Sequence, residues 1–141
     1  MRATLPIVVA DASVALKWFH AEGEEAVEPA RAVLAAFADR RIDLVILDLT
    51  VYEIGNVLLR SAGASPEAAA IVLDALIEIC EPTSLTTSER ALAARLATDH
   101  GLTFYDSAYG AVAQGRGGHL VTMDRELLAA GLGVRPEDVV F

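Results

Sequence analysis

The sequence predicts an α/β fold, an α/β/α sandwich with a central, mainly parallel sheet of four to five strands, built as a single domain over residues 1–141. Short, uniformly apolar runs alternate along the chain with longer helical patterns, an order typical of parallel sheets. Hydrophobic residues make up 54% of the 141 residues, enough to bury a sizeable core. No uncharged run approaches the roughly 20 apolar residues of a bilayer span, so we expect no membrane partner.

Three apolar runs are predicted as the central strands of this sheet. They cover residues 7–10, 44–47 and 119–122, and their aliphatic side chains are typical of strands buried on both faces. The first run, from Leu5, is short for the apolar region of a signal peptide, and Asp11 interrupts it, so we interpret it as a buried strand. Weaker strand candidates are residues 79–85 and 138–141.

Capping residues and prolines predict where the helices begin and end. Ser13 is expected to cap the first helix, and Thr86 with Glu89 three positions later has the spacing of a capping box. Pro66 stands at the first helical position after Ser65, where a proline costs no helical hydrogen bond. The predicted helices cover residues 13–19, 27–40, 50–59, 66–78, 86–101, 106–114 and 124–130.

Four of the 20 acidic residues are placed differently from the rest, most of which are typical exposed charges. Asp11 and Asp124 directly follow predicted strands, and Glu53 lies near the start of the helix after the second strand. Asp106 begins a predicted helix among apolar neighbours. The ligand crevice of an open parallel sheet lies beyond the carboxyl ends of its strands, so we expect these carboxylates to converge there. Each acid alone is equally consistent with a turn residue, a helix cap or an exposed charge.

Convergence of four carboxylates would raise their pKa values unless a cation neutralised them. An all-oxygen ligand set favours Mg²⁺ or Mn²⁺ over Zn²⁺. The histidines, His20, His100 and His119, are far apart in the sequence and lack the spacing of a metal-binding pair. We therefore expect a Mg²⁺ or Mn²⁺ site rather than a zinc site.

Four segments that contain these acids resemble the motifs of one known family. They are residues 8–19, 49–57, 102–109 and 120–127, with the sequences VVADASVALKWF, LTVYEIGNV, LTFYDSAY and LVTMDREL. Their order and flanking residues are similar to those of PIN-domain proteins, specifically the VapC toxins of bacterial and archaeal toxin–antitoxin pairs. Each motif alone is unspecific, but together the resemblance covers nearly the whole chain.

The resemblance implies a metal-dependent endoribonuclease toxin of a type II toxin–antitoxin system, usually dimeric and inhibited by a cognate antitoxin protein. It also implies the members of a catalytic, metal-binding tetrad, which would be Asp11, Glu53, Asp106 and Asp124. Ser13 and Thr122 match hydroxyl positions that support such a site.

An RNA substrate must still approach a negatively charged pocket. The 20 acidic and 11 basic side chains give a formal net charge of −9, which argues against binding to nucleic acid through overall charge. We expect local phosphate contacts from Arg116, in a glycine-rich stretch, from Arg125 beside Asp124, and from Lys17. Each of these bases is also consistent with an ordinary solvated side chain.

Several residues bear on protein partners and on location. Trp18, Phe19 and the apolar helix predicted at residues 66–78 are expected either to pack in the core or to form a subunit or antitoxin surface. Cys80 is the only cysteine and cannot form an internal disulfide, which favours a reducing cytoplasm.

Two other functions stay open. Phosphoryl-transfer proteins also place an aspartate at the end of the first strand, but a phosphatase would have a second aspartate where Ser13 stands, and no lysine follows Lys17. A non-catalytic RNA-binding scaffold could keep the same fold without cleaving RNA. The intact set of four acids argues against such a degenerate site.

Overall fold

A computed structural model describes residues 4–141, so residues 1–3 of the predicted domain lie outside the described residues. Three strands form a parallel sheet in the order β2-β1-β3, where β1 is Ile7–Ala10, β2 is Asp43–Val45 and β3 is His119–Val121. Val9 of β1 pairs with Val45 on one side and with Leu120 on the other. The predicted parallel α/β fold is confirmed.

The sheet has fewer full strands than the four to five predicted. Two isolated parallel bridges extend it, one joining Leu47 to Thr83 and one joining Val121 to Val134. The candidate strand at residues 79–85 is reduced to its bridge at Thr83, because a helix occupies the chain as far as Ile79. The candidate at residues 138–141 is wrong, since Pro136–Asp138 forms a 3₁₀ turn and the chain pairs with the sheet earlier.

Helices cover both faces of the sheet. Within residues 4–141 they are α1 Ala12–Ala15, α2 Val27–Ala38, α3 Asp48–Arg60, α4 Pro66–Ile79, α5 Thr87–His100, α6 Phe104–Gly115 and α7 Arg125–Ala129. A 3₁₀ turn, Leu16–Trp18, continues α1. The longest helices have 14 residues, and none in the described part of the chain is both long and apolar enough to cross a membrane.

The core lies on both faces of β1 because successive side chains of a strand point to opposite faces. Val8 and Ala10 pack with α1 to α4 in one hydrophobic cluster, whereas Val9 packs with α6 and α7 in another. Trp18 belongs to the first cluster, and its indole N–H donates to the Ala30 carbonyl at 2.9 Å. Trp18 is therefore a core residue, and its alternative interpretation as a subunit or antitoxin contact is wrong.

The predicted caps of α4 and α5 are confirmed. Ser65 accepts a hydrogen bond from the Ala68 N–H at 3.1 Å. Thr86 accepts from the Glu89 N–H at 3.2 Å, and the Glu89 carboxylate accepts from the Thr86 N–H at 2.8 Å. Donor and acceptor lie within one turn in each case, so the local sequence is sufficient to specify these helix ends.

Three predicted helix starts are wrong: α3 begins at Asp48 rather than at Thr50, and the other two errors concern the acids. The cap of α1 is Asp11 rather than Ser13, and the Ser13 hydroxyl instead donates to the Asp11 carboxylate. α6 begins at Phe104 after its cap Thr103, so Asp106 lies inside the first turn instead of beginning the helix. The helix dipole stabilises the negative charge of Asp106 in the first turn, independently of any role in a site.

Candidate active site

Asp11 lies where β1 ends, and three hydrogen bonds hold its carboxylate. Oδ1 accepts from the Ser13 hydroxyl at 2.5 Å and from the Val14 N–H at 3.2 Å, and Oδ2 accepts from the Thr122 hydroxyl at 2.5 Å. The residue is only 5% exposed, yet Oδ2, which accepts a single hydrogen bond, keeps one lone pair for a ligand.

Ser13 and Thr122 connect the carboxyl ends of β1 and β3. Ser13 Oγ accepts from the Met123 N–H and Thr122 Oγ1 accepts from the Asp124 N–H, both at 2.9 Å. Because each hydroxyl oxygen accepts a backbone hydrogen bond, its own proton is available for Asp11. The two hydroxyls thus tie Asp11 to the segment that carries Asp124.

Asp106, Asp124 and Glu126 form a tight group of acids. One carboxylate oxygen from each lies within 4.8 Å of the others. Asp124 caps α7 by accepting from the Leu127 N–H at 3.0 Å, and Glu126 lies in the first turn of the same helix. Glu126 is absent from the predicted tetrad, although its place two residues after Asp124 in a helix start could have indicated it.

Glu53 lies on α3 and accepts a hydrogen bond from the Tyr109 hydroxyl at 2.5 Å. Tyr109 is only 1% exposed and lies on α6, 56 residues away in the sequence. Its oxygen also lies 3.0 Å from Thr50 Oγ1. Tyr109 is likewise missing from the predicted site, and its only local signal is its position about one turn after Asp106.

The acids act on one another electrostatically. Burial, with a smaller contribution from the charge of Glu53, raises the pKa of Asp11 to about 6 against its three hydrogen bonds. Burial also raises the pKa of Glu53, with added repulsion from Asp106 and Asp124. The pKa of Asp106 is raised first by burial and then by the charges of Asp124 and Glu126. The structure therefore links the four predicted acids and Glu126 electrostatically, while the group whose oxygens lie within 4.8 Å of one another is Asp106, Asp124 and Glu126.

This donor set fits a hard divalent cation. The chemical groups of the cluster are carboxylates with hydroxyls behind them, and oxygen is the ligand atom that such ions prefer. The charges that most strongly shift the pKa values of Glu53 and Asp106 are other carboxylates rather than basic side chains. A bound cation would relieve this repulsion.

Lys17 is not available for an RNA contact, whereas Arg125 lies beside the acids. Lys17 is 4% exposed, and its ammonium pairs with Glu24 at 3.0 Å. The predicted role for Lys17 is therefore wrong, because its charge is already neutralised inside the fold. Arg125 is exposed at the first position of α7, directly after Asp124.

Arg116 forms a structural ion pair instead of the predicted RNA contact. It follows the end of α6 opposite to Asp106, and ten residues at 1.5 Å each separate them by about 15 Å. Its Nε donates to Glu89 Oε2 at 2.8 Å and its Nη2 to Oε1 at 3.2 Å. Glu89 is 5% exposed, and the hydrogen bonds from Arg116 lower its pKa. This pair fastens α5 to the end of α6.

We expect Arg116→Ala to lower the free energy of unfolding by about 2 kcal/mol at pH 7, because buried Glu89 loses its partner. The loss is smaller than for a fully buried ion pair because the Arg116 side chain is 27% exposed. The folded pKa of Glu89 lies below its unfolded value of 4.5, so its contribution is present above that pH. It is lost as the pH falls through the folded pKa. Urea unfolding at pH 7 and at pH 3 measures both effects.

The control for Arg116→Ala is Arg95→Ala, an exposed arginine of α5. This change should alter the free energy of unfolding by less than about 0.5 kcal/mol. An Arg116→Ala variant with unchanged stability and weakened RNA binding would contradict the structural role.

Comparison with known proteins agrees with this geometry. The sequence matches the PIN domain family over residues 8–131. It is 41% identical over 111 residues to exonuclease VapC9 of Pyrobaculum aerophilum. This alignment covers 71% of this chain and 79% of that protein. It is also 37% identical over 90 residues to ribonuclease VapC3 of the same organism, covering 60% of this chain and 69% of the relative.

A solved structure supports the fold. A toxin–antitoxin complex from Klebsiella pneumoniae contains a chain that matches with a TM-score of 0.69 at 16% identity, over 94% of this chain and 99% of that one. At this identity the likeness concerns the fold alone. The family match, however, spans most of the chain and includes the four predicted acids. The chain therefore belongs to the PIN-domain family.

Proposed function

We propose that this PIN-domain protein is a metal-dependent endoribonuclease, the VapC-type toxin of a type II toxin–antitoxin system. The observation that carries the proposal is the cluster of Asp11, Glu53, Asp106 and Asp124, in which the charge of Glu53 raises the pKa of Asp11 and the charge of Asp124 raises the pKa values of Glu53 and Asp106. Relatives named exonuclease and ribonuclease, at 41% and 37% identity, support nuclease chemistry. We propose that this cluster hydrolyses internal phosphodiester bonds of RNA.

In this proposal Asp11 and Asp106 bind Mg²⁺ or Mn²⁺ directly, while Glu53 and Asp124 complete the site or orient water. Such an ion lowers the pKa of water and offsets the charge that develops at the attacked phosphorus. Two hydroxyl donors keep the Asp11 carboxylate in one orientation before any ligand arrives. Preorganised groups of this kind need little rearrangement during the reaction.

Incubation of the purified protein with linear and circular RNA tests the proposal. We expect cleavage of both with Mg²⁺ or Mn²⁺ and none in EDTA, because only an endonuclease can open a circle. Cleavage of linear RNA alone would replace the proposed endonuclease with an exonuclease. RNA binding without cation-dependent cleavage would favour the non-catalytic scaffold.

Arg125 is the base best placed to contact RNA phosphates beside the acids. Arg125→Ala is expected to weaken RNA binding similarly for all sequences and to reduce the slope of log K against log salt concentration by about 1. Fluorescence anisotropy titrations at several salt concentrations in EDTA measure this slope without cleavage. Arg95→Ala should keep the wild-type slope, and an unchanged slope in Arg125→Ala would refute the contact.

We propose that a second copy of the chain and a cognate antitoxin cover exposed apolar side chains of α3 and α4. Those side chains are Tyr52, Leu59, Ile71 and Ile77, between 44% and 75% exposed. The match to a toxin–antitoxin complex supports an antitoxin partner. We also propose that the protein is cytoplasmic. Light scattering after size-exclusion chromatography tests the dimer, and a monomer at micromolar concentration would contradict it.

A further inference from the structure

A chain of buried hydrogen bonds links the start of α3 to Glu53 by way of α6. The Leu47 N–H donates to Thr50 Oγ1 at 3.0 Å, and this oxygen lies 3.0 Å from the Tyr109 hydroxyl. The Tyr109 hydroxyl donates to Glu53 Oε1 at 2.5 Å. Thr50 and Tyr109 are 0% and 1% exposed, so bulk water does not compete for the bonds at Thr50, whereas the bond to Glu53 is part-buried. The chain ends on an acid of the proposed catalytic cluster.

These hydrogen bonds can run in only one direction. A tyrosine hydroxyl has a single proton, and that proton goes to Glu53. Thr50 must therefore donate its own proton to the Tyr109 oxygen, while its oxygen accepts from the Leu47 N–H. Glu53 is thus the acceptor at the end of the chain. Its Oε1 accepts from Tyr109, so its Oε2 is the oxygen that can bind a cation held by the acid cluster.

Packing holds the Tyr109 ring in place. The ring belongs to the hydrophobic cluster on the α6 side of β1, together with Val9, Val112 and Leu120. Burial, and then the charge of Glu53, raises the pKa of Tyr109 above its usual range, so the hydroxyl stays a donor at neutral pH. A rigid, always protonated phenol is suited to orient a carboxylate on another helix.

We propose that Tyr109 is a positioning residue that orients Glu53 and leaves it one free oxygen for the divalent cation, an inference that rests on the proposed function. Without the hydroxyl, the half-buried Glu53 side chain could turn away from Asp106 and Asp124, which repel it. Residues that orient a metal ligand typically change metal affinity by about 10- to 100-fold.

Calorimetric titration with Mn²⁺ alone tests the proposal. Tyr109→Phe removes only the hydroxyl, so we expect a folded protein by circular dichroism and a Kd for Mn²⁺ raised at least about 10-fold. The matched control is Tyr105→Phe, which removes a hydroxyl from a residue of the same helix that is 63% exposed. Its Kd should stay within about twofold of the wild-type value.

The same substitution in a Glu53→Ala background separates positioning from a loss of packing. If Tyr109 acts through Glu53, Tyr109→Phe changes the Kd in that background by less than about twofold. An unchanged Kd in the single variant, or an equal rise in both backgrounds, overturns the inference. A wild-type protein that takes up no Mn²⁺ overturns the proposed function instead.

A second measurement needs neither metal nor the Tyr109→Phe variant. In the metal-free wild type we expect the Tyr109 hydroxyl proton as a downfield ¹H NMR resonance, because it lies in a short hydrogen bond from a buried tyrosine to a carboxylate. Glu53→Ala should abolish this resonance, and Tyr105→Phe should retain it. Absence of the signal in the wild type, or its persistence in Glu53→Ala, overturns the inference.

Discussion

Replacing Asp11 with asparagine is expected to lower the rate of RNA cleavage more than about 100-fold, the upper range for losing a residue that merely orients a metal ligand. Asparagine removes the negative charge and offers one acceptor oxygen in place of two. Its amide NH₂ would then face either Ser13 or Thr122, both of which donate to the present carboxylate. The measurement is single-turnover cleavage of a defined RNA with saturating Mg²⁺ or Mn²⁺.

The Asp11→Asn variant is expected to remain folded. Burial raises the pKa of Asp11 to about 6, so an uncharged side chain of this size costs less to bury here than the carboxylate does. Asp99→Asn, an exposed residue of α5, is the matched control and should cleave at the wild-type rate. Urea unfolding verifies the fold, and wild-type turnover by Asp11→Asn would remove the acid from the mechanism.

Mn²⁺ at 100 times its Kd is expected to stabilise the protein by about 2.7 kcal/mol and to raise the Tm by about 9 °C. The physical reason is that the cation binds the folded cluster, where carboxylates repel one another, and not the unfolded chain. Thermal unfolding with Mn²⁺, and again after EDTA, measures the effect. NaCl at matched ionic strength controls for simple screening.

The double variant Asp106→Asn with Asp124→Asn should lose this response. Its metal-free form should unfold at a higher temperature than the wild type, because two repelling charges are gone. The cap of α7 is kept, since asparagine caps a helix about as well as the aspartate that accepts from the Leu127 N–H. An equal rise in Tm with Mn²⁺ in this variant and in the wild type would place the cation elsewhere.

The parts of this site that were predictable carry short-range signals. Asp11 and Asp124 directly follow apolar strands, and parallel strands bring their carboxyl ends to one edge of the sheet. The capping box of Thr86 and Glu89 depends on atoms within one turn. Ser13 shows the limit of such signals, because a serine near a helix start can cap the helix or, as observed, donate to Asp11.

The sequence by itself determined which strands and helices follow one another along the chain and which acids lie at the strand ends. These features depend on neighbouring residues and on the alternation of apolar runs with helical patterns. Only the tertiary structure decided that Tyr109 serves Glu53 and that Arg116 serves Glu89 instead of RNA. The partners in these pairs are 56 and 27 residues apart in the sequence. Which buried donor meets which acceptor depends on how the helices pack on the sheet, and no local pattern records that packing.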